Sequence, residues 1–160
     1  MNDAHLHLLL NDIPVLGTVS GIVFIMIGLV ARKETFKLIG CWVLLIAGLA
    51  AIPVVVTGEG AEEVIEHLQD VDEDIIHEHE EAAELVYPFA IIMGVGGLAT
   101  IIVHKHVPKL RKTFVFSLLG LAIVVAGMIA WTANLGGQIR HPEVRPGFEQ
   151  EMRDLKFDGE

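Results

Sequence analysis

The chain has 160 residues, 52% of them hydrophobic and 20% charged, with a mean hydropathy of +0.56. So apolar a chain is not the composition of a soluble enzyme domain or of a disordered segment, and a net charge of −10 repels phosphate and disfavours nucleic-acid binding. A single cysteine, Cys41, excludes an intramolecular disulfide framework, a Cys-rich zinc or iron–sulfur site, and haem attachment through two cysteines.

High hydropathy and abundant charge are compatible only if the two are segregated, and they are. Residues 13–31, 38–57, 85–103 and 114–135 carry no charge. Each stretch is about 20 residues, or roughly 30 Å as a helix, which matches the hydrocarbon thickness of a bilayer. Four such runs in so short a chain leave too little polar sequence to cover them, so a soluble core is disfavoured and a multi-pass membrane protein is expected. Asp3 and Asp12, with no Lys or Arg, precede the first run, so no cleavable signal peptide is expected.

The 1–12 segment contains His5, His7 and, just before Pro14, Asn11 and Asp12, which read as capping residues for the first span. Gly17 and Gly21 form a close-approach step in that span, and Gly94, Gly97, Gly120 and Gly127 offer others. Between the first two spans lie Arg32, Lys33 and Lys37; between the last two lie Lys105, Lys109, Arg111 and Lys112. These two short loops hold seven of the eleven basic residues, which places them in the cytoplasm and both termini in the periplasm. Short loops also force antiparallel neighbours, so the expected fold is all-α: an up-down bundle of four transmembrane helices. Pro14, Pro53 and Pro88 fall in the outer third of their spans, where each frees a carbonyl and predicts an irregular outer end.

Residues 58–84 contain 12 of the 21 acidic residues and no Lys or Arg. Val64, Leu68, Val71, Ile75 and Ala82 make one stripe of an outward amphipathic helix lying across the bundle's mouth. Gly58 and Gly60 would break the chain before it, and residues 70–74 would mark a turn between two shorter helices. Such a segment suits a solvated face first, docking of a basic partner or weak divalent-cation binding second; no calcium-loop spacing is present. The 136–160 segment is expected to be an outward polar tail.

Six of the eight histidines form His-x-His pairs: His5/His7, His77/His79 and His104/His106. The first two pairs each precede a span, a basic loop, a Thr-Phe step (Thr35-Phe36, Thr113-Phe114) and a second span. Residues 5–56 and 77–133 thus share an order of features, a weak parallel repeat about an axis along the membrane normal. Spans one and three then sit diagonally, and histidines at their outer ends meet near the axis. Residues i and i+2 of a helix point about 200° apart, so one histidine of each pair faces inward. One imidazole from each of two facing helices is what a bis-histidine b-type haem needs. His7 and His79 are the candidates, with Arg140 and Arg145 for the propionates. His104 and His106 have no counterpart near their end of the bundle, which counts against a second haem there.

The same histidines serve a competing chemistry. His5, His7, His67, His77 and His79, with Glu63 or Glu81, could bind Zn or Cu at the outer mouth, Glu63/His67 and His77/Glu81 sharing helix faces. A third alternative is packing without a cofactor, in a structural accessory subunit of a larger membrane complex. No charge lies inside a span, which disfavours a proton relay or ion path, and no phosphate loop, nucleophile elbow or HExxH motif suggests catalysis.

Three stretches, His5-Leu-His7-Leu-Leu-Leu-Asn11-Asp12-Ile-Pro14-Val, Thr57-Gly-Glu-Gly-Ala-Glu-Glu63 and His79-Glu-Glu-Ala-Ala-Glu84, resemble an uncharacterised family of small four-span bacterial inner-membrane proteins. The resemblance covers about residues 5–135. It implies an inner-membrane location and haem b binding, suggested for related sequences, with His7 and His79 at the matching positions. Where relatives often carry a second histidine near the first span, this chain has Asp12.

Overall fold

The computed structural model describes residues 2–65 and 72–149. Four long helices run in alternating directions: α1 Asp3–Val30, α2 Glu34–Ile65, α3 Glu73–His106 and α4 Arg111–Arg140, with short 3₁₀ turns at Pro108–Leu110 and Pro142–Val144. All four are long and apolar enough to cross a membrane. The protein is an all-α up-down bundle of four transmembrane helices.

The bundle has a loop end, where α1 joins α2 and α3 joins α4, and a termini end, where the chain enters α1 and leaves α4. At 32 and 34 residues, α2 and α3 are roughly 50 Å long, well beyond the apolar thickness of about 30 Å. Their surplus turns carry the acidic sequence out of the termini end. Residues 58–65 continue α2 and residues 73–84 open α3, so the acidic segment is helical on both sides of residues 66–71, which lie outside the described residues together with Leu68 and Val71 of the expected stripe. Gly58 and Gly60 do not break α2. A Cβ at Gly60 would lie 2.5 Å from the Asp3 carboxylate, so this glycine admits the first turn of α1.

The start of α1 also departs from the expectation. Asn2, not Asn11 or Asp12, caps it, accepting the His5 amide at 3.1 Å, so His5 and His7 are helical. Asp72 caps α3 in the same way through the Asp74 amide at 3.1 Å. Pro14, Pro53 and Pro88 lie inside α1, α2 and α3 and do not end them.

Small residues set the packing. α1 lies closest on α2, where a Cβ on Gly21 would strike Leu44 at 2.6 Å. Backbone also approaches closely at the α2–α3 seam: a Cβ on Gly48 would meet the Ala90 carbonyl at 2.6 Å and the Gly94 backbone at 2.7 Å. Gly97 packs on the Cys41 carbonyl. Gly120 and Gly127 have nothing near them and do not mark interfaces within the bundle. Ile25, Leu44, Met93 and Val125 fill the centre, fully buried. Trp42, Ile46, Val95, Phe116 and Trp131 project outward, each at least half exposed, as lipid-facing residues must. Contact between α1 and α4 is sparse.

Candidate functional site

At the termini end all four helices line an open-sided cavity of about 690 Å³, within the range of roughly 300–1,000 Å³ typical of small-molecule and cofactor sites. A smaller cavity of about 70 Å³ lies against it, also bounded by four helices, with Asn11 and Tyr87 among its lining residues. His7 and His79 line both.

Each of the two imidazoles is tied to the helix that follows its own. His7 Nδ1 is 2.9 Å from the Val54 carbonyl oxygen, and His79 Nδ1 is 2.9 Å from that of Thr132. A carbonyl only accepts, so in each bond Nδ1 carries the proton and donates, leaving Nε2 as an unprotonated lone pair. One turn beyond each acceptor stands a glycine against the ring, Gly58 for His7 and Gly136 for His79. The two halves therefore share a local arrangement as well as an order of features: histidine, carbonyl at i, glycine at i+4.

The arrangements differ in detail. Thr57 Oγ1 donates to the Pro53 and Val54 carbonyls at 2.8 and 3.1 Å and also lies 3.4 Å from His7 Nδ1. The Thr132 hydroxyl turns to the Met128 carbonyl and leaves His79 a single partner. Burial pushes the His79 imidazole below its ordinary proton affinity, the bond to Thr132 opposes this, and charge on His7 adds to the depression. His79 thus favours the neutral form, the one that ligates.

Of the other candidate residues, His5 joins His7 and His79 at the cavity, as does Arg140 from the end of α4. His77 does not. It is 71% exposed on the opposite face of α3, paired with Glu80 at 3.9 Å and Glu81 at 3.3 Å, as the 200° step from His79 requires. Arg145 is engaged elsewhere: Nε and Nη2 donate to the Gln138 and Ile139 carbonyls, and Nη1 pairs with Asp72 at 3.2 Å. His67 lies outside the described residues. Among those described, no three His, Cys, Asp or Glu side chains gather to hold a metal ion. His104 sits at the loop end, 3.7 Å from Glu34, and His106 is exposed there.

The sequence reading missed Val54, Thr132 and Gly136, and took Gly58 as a chain break rather than a neighbour of the His7 ring. Aligning the halves on their second spans would have exposed the glycines, since each closes the apolar run after its histidine. The carbonyls carry no side-chain signal at all. Compared with known proteins, the chain matches no protein-family profile, no curated protein and no solved structure.

Proposed function

We propose that this protein holds one b-type haem between His7 and His79 and serves electron transfer as a subunit of a larger membrane complex. The supporting observation is the matched pair of imidazoles in one cavity, each with Nδ1–H committed to a backbone carbonyl and Nε2 free. Ligating histidines characteristically donate their other ring N–H in this way, which sets the tautomer and raises ligand basicity. A bound haem would supply one-electron exchange, its potential tuned by the residues that hold it and their hydrogen bonds. The chain's own groups do the rest. Val54, Val55, Ile76 and Ile139 supply apolar wall, and Arg140 is the cation placed to meet a propionate. The basic loops support a site at the periplasmic face of a bacterial inner membrane.

The same hydrogen bonds also tie α1 to α2 and α3 to α4, which favours a second reading: a cofactor-free accessory subunit whose histidines are staples. A visible absorption spectrum of the purified protein separates the two. A Soret band is expected, and His7→Ala and His79→Ala should each abolish it. Its absence from the wild type overturns the haem reading, and its survival in both variants overturns the ligand choice. Stoichiometric Zn or Cu in a haem-free preparation would point instead to a metal-binding role.

A further inference from the structure

We infer that Gly136 is the positioning residue for His79: by presenting no Cβ, it leaves the notch on α4 in which the imidazole lies while it donates to the Thr132 carbonyl. The assignment of His79 as a haem ligand rests on the function proposed above; the positioning itself does not.

Helix geometry makes position 136 decisive. Carbonyl oxygens point toward the C-terminus, so the Thr132 oxygen stands level with the next turn, where residue 136 sits. A Cα–Cβ bond tilts toward the N-terminus, so any side chain at 136 leans toward the oxygen that His79 must reach. A Cβ there would lie 3.0 Å from His79 Cε1 and 3.3 Å from Nδ1. The ring would have to give by a few tenths of an ångström, and with one partner on α4 that movement falls on its 2.9 Å bond, lengthened or bent.

The matching glycine of the other half is not under this constraint. A Cβ at Gly58 would lie 3.7 Å from the His7 ring, ordinary van der Waals contact, and the Thr57 hydroxyl lies near the same Nδ1. Gly137, the next residue of α4, also borders the cavity, yet a Cβ there meets nothing within 4 Å. The three glycines therefore form an internal comparison, in which only Gly136 governs a ring.

The test is a two-bond ¹⁵N–¹H correlation spectrum of the histidine rings in the haem-free protein, which reports which nitrogen carries the proton. Wild type should show His79 locked with the proton on Nδ1. Gly136→Ala should weaken that preference and Gly136→Val abolish it, with His7 unchanged as the reference for an intact fold. Gly58→Ala and Gly137→Ala should leave both rings as in wild type. Haem affinity should fall roughly 10–100-fold in the Gly136 variants, the usual effect of losing a ligand's outer partner. A His79 ring still locked in Gly136→Val, or equally disturbed by Gly137→Ala, overturns the inference. If the ring responds as expected but no variant, wild type included, takes up haem, the positioning stands and the haem reading falls.

Discussion

At His79 two effects act on one ring in opposite directions. Burial disfavours its charged form, and the Thr132 carbonyl favours any state in which Nδ1 keeps a proton; burial is the larger. The sign for stability follows. A histidine whose folded proton affinity is depressed binds fewer protons folded than unfolded, so stability rises with pH across the window between the two values. Stability from this group is complete above the unfolded value of about 6.5 and declines as pH falls toward the folded value. An NMR titration of His79 in the haem-free protein should therefore give a midpoint below about 6.5; a midpoint at or above it would refute the burial argument. Thr132→Val keeps the carbonyl and should leave the midpoint in place, because the hydroxyl bonds to Met128 and not to the ring.

At the scale of elements, the apolar cores of the helices were legible and their ends were not. Hydropathy reports where a chain meets lipid, whereas helix ends depend on backbone hydrogen bonding. α1 begins at Asp3 rather than near Ile13, and α3 at Glu73 rather than near Leu85, because leucine, glutamate and alanine are good helix formers on either side of a bilayer boundary. One connection did follow a local rule. Arg32, in the link from α1 to α2, has φ 54°, the sole left-handed non-glycine among the described residues, and the Lys33 amide closes back on the Gly28 carbonyl at 3.0 Å. That is a helix C-terminal turn of the kind glycine usually occupies. Left-handed backbone costs an L-residue roughly 1–2 kcal/mol, partly offset by the greater unfolded freedom of glycine. Arg32→Gly should raise the thermal midpoint in detergent by the equivalent of about 1 kcal/mol. An unchanged or lower midpoint would show that the arginine side chain contributes more than its backbone costs.

At the scale of the molecule, the site divides along the line of the internal repeat. His7 bonds to α2 and His79 to α4, so each histidine is secured within its own hairpin, α1–α2 or α3–α4. The cavity between them exists only where the hairpins dock, because α1 and α4 meet sparsely and the α2–α3 seam provides most of the union. The histidine pairing was visible in sequence because it precedes spans in matching order; the docking was not, because it depends on Gly48 meeting Gly94 across the bundle. A side chain at Gly48 would press on backbone, at 2.6 Å from the Ala90 carbonyl and 2.7 Å from Gly94 Cα, and backbone cannot rotate away. Overpacking of this kind costs roughly 1–3 kcal/mol. Gly48→Leu should therefore loosen the seam while both hairpins persist. The Nδ1–H tautomers of His7 and His79 should survive in the ring spectra, but a haem or any other ligand that bridges the two should bind more weakly, by about fivefold or more for a cost of about 1 kcal/mol upward. Loss of both tautomers together with binding would show that the hairpins do not hold their histidines independently, and that the site is formed by the four helices as one unit.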